Sequence, residues 1–226
     1  MSTLEVRWFL PFPAGEGAPA AKERFARPEL FDEPPQQRVD WYAPSTASNG
    51  IKLREGKLEI KLLLEVLGPQ TFDIPAVGRV CEGLIERWDK WMYDGPQHPS
   101  VPAMQHADWT AVSKQRWLIF FEPKTGASPG EPPTIERAAQ RPPTGCQAEW
   151  TEVSCAGQSW LTLGFESFGE PASLEPLLLA TVRHVLAALP TDLPLSLGRS
   201  QSYPGWLANK PRANQGPPTT ASHDVS

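Results

Sequence analysis

Apolar and polar residues alternate most strictly over residues 50–67. Ile51 and Leu53 alternate with Lys52 and Arg54 before Glu55-Gly56, and Leu58, Ile60 and Leu62 alternate with Lys57, Glu59 and Lys61 after it. A period of two marks strands, and two residues ending in Gly between such runs mark a tight hairpin. Pairing across that turn sets Arg54 opposite Lys57 and Lys52 opposite Glu59, so all five charged residues share one face. Similar alternation predicts strands at Leu4–Pro11, Val39–Ala43 and Trp109–Glu122. A second hairpin, Gln147–Cys155 with Ser159–Phe168, turns near Ala156-Gly157. Two segments read as amphipathic helices. In Ala76–Tyr93, the residues Val77, Val80, Leu84, Ile85, Trp88, Trp91 and Met92 recur at steps of three and four. In Ser173–Leu189 the stripe is Leu177, Leu178, Thr181, Val182, Val185 and Leu189, with Ser173 as a candidate N-cap. Segments 95–108 and 124–145 read as loops, and 209–226, almost devoid of apolar residues, as a disordered tail.

The pattern recurs with charge. Glu5 and Arg7 alternate with Leu4, Val6 and Trp8; Lys114 and Arg116 flank Gln115 before Trp117; Thr162 and Glu166 alternate with Leu161, Leu163 and Phe165. If two helices cover the aliphatic faces, the charged faces converge. An α+β fold follows: an antiparallel, largely closed β-barrel flanked by helices, forming one domain over residues 1–208. Its interior would gather the cations Arg7, Lys52, Arg54, Lys57, Lys61, Lys114 and Arg116. The anions Glu5, Glu59 and Glu166 would join them, with Glu149 or Glu152 as a fourth. An interior with that excess of like charge requires a polyanionic counter-ion, and phosphates meet arginine and lysine well. Carboxylates among the cations would suit Mg²⁺ or Mn²⁺.

Composition narrows the picture. The 226 residues include 26 prolines, which disfavours an all-helical bundle. The prolines gather outside the predicted strands. The formal net charge of −5 disfavours broad nucleic-acid coating, so an RNA-binding sheet ranks last. Three cysteines without a CxxC pair fit a reduced, cytoplasmic setting; no secretory signal or membrane span is expected. The four histidines lack a metal-site spacing, and there is no P-loop, GxGxxG or GxSxG motif. Most of the nine tryptophans read as core residues rather than base-stacking platforms.

In order along the chain, these segments resemble the CYTH domain, or triphosphate tunnel metalloenzyme, superfamily. Thr3-Leu4-Glu5-Val6-Arg7 is similar to its opening Glu-x-Glu-x-Lys strand, and Gly50–Gly56 with Leu58–Lys61 to its basic second hairpin. Lys114-Gln115-Arg116 resembles its Lys-x-Arg strand, Trp160–Glu166 its late Glu-x-Glu strand, and Ser202-Tyr203-Pro204 its closing Ser-Tyr segment. The resemblance implies triphosphate binding in a basic tunnel, with Mg²⁺- or Mn²⁺-dependent phosphoanhydride hydrolysis if metal is held by Glu5, Glu59 and Glu166. Two departures bear on that. Thr3 and Gly164 stand where each acidic motif has its first Glu, so anion binding is better supported than metal-dependent catalysis. The alternative is a non-catalytic barrel whose charges pair internally and whose outer surface binds a protein partner.

Overall fold

The structure is a computed structural model and describes residues 2–12, 28–44, 46–93, 108–124 and 133–209. Nearly all of the 209–226 segment read as a tail, and residues 95–107 of the loop read at 95–108, lie outside them.

Nine antiparallel strands form one sheet: β1 (Ser2–Pro11), β2 (Gln36–Tyr42), β3 (Asn49–Arg54), β4 (Lys57–Ile74), β5 (Arg79–Tyr93), β6 (Thr110–Pro123), β7 (Ile135–Ala138), β8 (Gly145–Cys155) and β9 (Gln158–Phe168). Their order is β2-β3-β4-β5-β1-β9-β8-β6-β7, and β2 also pairs with β6. That extra pairing closes eight strands into a barrel and leaves β7 as an extra strand on the far half of β6. The closed antiparallel barrel is the expected architecture.

Both predicted hairpins form in register. Arg54 faces Lys57 and Lys52 faces Glu59; their turn places Glu55 and Gly56 at φ 49° and 77°. Ala156 and Gly157 take φ 51° and 74° between β8 and β9. Positive φ at both central residues is what a two-residue turn of matching twist requires, and Gly accepts it without a Cβ penalty.

The first predicted helix does not form. Residues 79–93 are the strand β5, paired with β4 along one edge and with β1 along the other. The physical reason lies in where β5 buries its faces. Its first half packs the odd-numbered Arg79, Cys81, Gly83 and Ile85 inward against the outer core, while Val80 and Glu82 are exposed. Its second half buries the even-numbered Glu86 and Trp88 on the barrel side. The buried face changes mid-strand, and the apolar positions then mimic a helical spacing. Strand β7 also falls in a segment read as loop, and β2 begins three residues earlier than expected.

Helix α1 (Leu174–Ala187) follows the expected span, although Ser173 makes no side-chain capping bond. It lies on the outer faces of β1, β4, β8 and β9, sealing a core with Trp8, Phe72, Trp150, Phe165, Leu178 and Val182. Contrary to expectation, no helix among the described residues covers the outer face of the β3–β4 hairpin. Ile51, Leu62, Leu64, Val66 and, on β5, Trp91 remain exposed there.

A short helix, α2 (Tyr203–Ala208), is started by Ser202, whose Oγ accepts from the Gly205 N–H. It packs with Phe9, Tyr42, Val112, Val153, Cys155 and Trp206 into a second cluster. Phe9 and Trp206 stack at 4.7 Å, and Trp160 meets Trp206 edge-on at 5.0 Å. These side chains project inward where β1 ends and β9 begins, so they fill the barrel at that end. No helix among the described residues is long and apolar enough to cross a membrane.

The strand assignment of β5 makes a sharp prediction. On a helix Trp88 and Trp91 would share a face, but here Trp88 is fully buried and Trp91 is 41% exposed. Trp88→Ala should cost about 3–5 kcal/mol in urea unfolding, and Trp91→Ala about 1 kcal/mol or less.

Candidate functional site

Above the aromatic plug the barrel encloses a cavity of about 550 Å³. Nine lysines and arginines line it against four carboxylates. Of the expected cations, Arg7, Lys52, Arg54, Lys61, Lys114 and Arg116 all line it; Lys57 does not, and is exposed beside the hairpin turn. The three expected acids, Glu5, Glu59 and Glu166, are all present, and the fourth is Glu149 rather than Glu152, which lines a groove on the outside of the barrel.

Sequence reading missed Arg38, Lys90 and Arg141 as lining cations, and Asp40 beneath them. Lys90 was hidden by the helical reading of its segment; on a strand it alternates with Asp89 and Trp91 and shares the face of Trp88. Arg38 and Asp40 alternate with Val39 and Trp41, a signal that was present but short. Arg141 lies in a Pro-rich connection and carries no periodic signal.

The deepest layer adjoins the plug. Asp40 is fully buried, 2.8 Å from Lys114 Nζ and 3.1 Å from Arg38 Nε. Lys114 also donates to the Tyr42 hydroxyl at 2.9 Å and sits 3.6 Å above the centre of the Tyr203 ring. Burial pulls the Lys114 ammonium down to about 8, and Asp40 offsets this only in part. Burial likewise pushes the Tyr203 hydroxyl up to about 12, with Arg7 opposing.

In the next layer Glu149 accepts from Arg7 Nη1 at 2.7 Å, Arg116 Nε at 2.6 Å and Thr151 Oγ1 at 3.0 Å. Burial favours its neutral form, but Arg116 and Arg7 prevail and hold the carboxyl far below the ordinary range. Gly164 faces Arg7 in the β1–β9 register. A Cβ at Gly164 would overlap the Arg7 guanidinium. The bare backbone at this position is therefore the floor on which Arg7 lies.

Near the wider end, Glu59 pairs with Lys52 at 2.7 Å and with Arg54 at 3.8 Å. Glu5 pairs with Lys61 and Lys90, and Lys90 reaches Glu166. Thr3, where a first acidic residue was looked for, donates to Glu5 at 3.4 Å. Lys61 rests over the Trp88 ring at 4.3 Å. Arg141 donates to Gln147, and Gln147 to Glu166.

Divalent metal was expected at Glu5, Glu59 and Glu166. Among the described residues, no three carboxylate, histidine or cysteine side chains form a group that could hold a metal ion. In this arrangement lysine ammonium groups occupy the oxygens of all three acids, so the residues as placed do not fit a bound metal.

What the arrangement can do is bind anions. Even counting Asp40, the cations outnumber the carboxylates, and every carboxylate is already paired. Guanidinium and ammonium groups converging on one enclosed space suit a ligand of several negative charges. No family model and no curated protein matches the chain.

The depressed carboxylates fix how stability depends on pH. Burial opposes ionisation, but lysines and arginines overcome it, leaving Glu5, Asp40 and Glu149 well below the ordinary range and Glu59 at about 2. A folded pKa below the unfolded value, about 4, gives stability that is complete above that value and lost below it. Urea unfolding should therefore show nearly constant stability from pH 7 to about 5 and a steep loss towards about 2. Glu149→Gln should remove part of that slope.

Proposed function

We propose that this chain is a divergent member of the CYTH, or triphosphate tunnel metalloenzyme, superfamily and that its pocket binds a triphosphate or similar phosphate-rich small molecule. One observation carries the reading: nine cationic side chains against four carboxylates line a single cavity inside a closed barrel. Burying such a surplus is costly without a counter-ion, and a polyanion supplies it. Inward placement of Glu5, Arg7, Lys52, Arg54, Lys61, Lys114, Arg116 and Glu166 supports the family reading, since these are the positions that carry the resemblance. In this scheme Lys114, Arg7 and Arg116 meet the far end of the polyanion. Lys52, Arg54, Lys61 and Lys90 meet the nearer end. The volume suits a compact ligand. A cytoplasmic setting belongs to the same reading and rests on three buried, unpaired cysteines.

A second reading makes the chain an interaction module. The uncovered apolar strip of Ile51, Leu62, Leu64, Val66 and Trp91 favours it, because exposed apolar patches mark contact surfaces.

A thermal-shift series with phosphate, pyrophosphate and tripolyphosphate, with and without Mg²⁺ or Mn²⁺, separates the two. Tripolyphosphate at roughly a hundred times its Kd should add about 2.7 kcal/mol, raising Tm by about 5–10 °C. Lys61→Ala should weaken binding by roughly 10- to 100-fold, the value of a charge-assisted contact. Phosphate release with metal present would add hydrolysis to binding. Absence of stabilisation by any polyanion overturns the pocket reading and leaves the docking surface.

Lys114 supplies a pH test. Bound phosphate favours its charged form, so affinity should fall as pH rises through about 8. Calorimetry from about pH 6.5 to about 9.5, roughly one and a half units either side of that value, should show this dependence, and Lys114→Met should abolish it.

A further inference from the structure

Glu5 and Glu166 lie directly opposite one another on β1 and β9. Lys61 and Lys90 lie directly opposite one another on β4 and β5. Each pair alone is repulsive, since like charges across a ladder destabilise it. The structure resolves both conflicts by interleaving them. Lys90 Nζ sits between the two acids, 2.9 Å from Glu5 Oε1 and 2.6 Å from Glu166 Oε1. Lys61 Nζ takes the other Glu5 oxygen, Oε2, at 2.5 Å, and Gln147 Nε2 donates to Glu166 Oε2 at 3.2 Å. All four carboxylate oxygens therefore have a donor from the chain itself.

Two facing carboxylates inside a phosphate-sized cavity are a natural seat for a hard divalent cation. We propose that Lys90 is the resident cation of this carboxylate pair, occupying the position a divalent metal would need, so that the pocket takes its polyanion without one. The first half stands on the geometry alone; the second rests on the polyanion reading above.

The charge of Lys90 is secure. Burial disfavours it, but Glu166 and Glu5 outweigh burial and hold the ammonium above the ordinary lysine value. Lys61, by contrast, is lowered, burial exceeding the help of Glu5. Lys90 is the lysine of the opposed pair whose ammonium bridges both acids. It is also the residue that makes Glu5 and Glu166 compatible within one site. A fixed ammonium supplies that charge without a loading step, at the cost of the Lewis acidity and bound water that a metal brings to phosphoryl transfer.

The test is Mn²⁺ binding followed by electron paramagnetic resonance in buffer free of polyanion, using the wild type, Lys90→Ala and Lys90→Met. The wild type should bind no Mn²⁺ in the sub-millimolar range. Lys90→Ala, which empties the space between the acids, should gain one site, about one Mn²⁺ per chain. Lys90→Met, which keeps the stem and removes the charge, should gain none. Circular dichroism checks that the variants fold, and the wild-type titration decides the matter if they do not. Calorimetry then compares tripolyphosphate binding to wild type with EDTA and without added metal; the two affinities should agree within about twofold. Stoichiometric Mn²⁺ binding by the wild type, or a folded Lys90→Ala that gains none, overturns the assignment of Lys90. A loss of affinity of roughly tenfold or more on chelation overturns metal independence. Failure of tripolyphosphate to bind under any condition, with the Mn²⁺ results as expected, overturns the polyanion reading and leaves Lys90 in place.

Discussion

A closed barrel offers each strand a single inward face, largely shielded from bulk solvent. Whatever residues alternate inward must be satisfied within the cavity. Here the inward faces carry most of the charge of the pattern, and the chain meets the requirement by pairing each buried acid with two or more partners. Glu149 takes Arg7 and Arg116, Asp40 takes Lys114 and Arg38, and Glu5 takes Lys61 and Lys90. These shared partners join strands that are remote in sequence: Arg7 and Glu149 are 142 residues apart. Removing one member leaves an uncompensated charge in a region poor in water, which is far costlier than removing a surface ion pair.

The same pairing limits what the cavity can do. A metal centre needs carboxylates that are available to it, and lysines hold the three candidates here. A phosphate site needs cations in excess of acids, and that excess is present. Gly164 and Arg7 show how tightly these pairs are fitted: the bare backbone of Gly164 makes room for a guanidinium that faces Glu149. The aromatic plug under Lys114 adds a further constraint. Tyr203, Phe9 and Trp206 fill one end, and Lys114 lies directly above the Tyr203 ring.

Much of the barrel was legible because period-two alternation is a local property. The β3–β4 hairpin and the β8–β9 hairpin follow from turn chemistry and parity, and with them the inward direction of Lys52, Arg54, Lys61 and Glu59. Lys57 shares their parity but sits beyond the rim at the turn, and parity carries no information on depth. β5 was misread for a related reason. Its buried face switches at Ile85–Glu86 from the core under α1 to the barrel interior, and only the position of α1 and the neighbouring strands dictates where that switch falls.

The sequence by itself therefore determined most of the strands, the segregation of lysine and arginine onto one face, and the surplus of positive charge, since these depend on spacing and residue type along the chain. Beyond the Lys52–Glu59 pair of the hairpin, tertiary structure alone decided which charges meet. The register of β1 with β9 and of β4 with β5 brings Glu5, Glu166, Lys61 and Lys90 into one cluster. Closure through β2 and β6 sets Asp40 against Lys114. Such pairings join residues scores of positions apart, and no local pattern encodes the partner a buried charge will find.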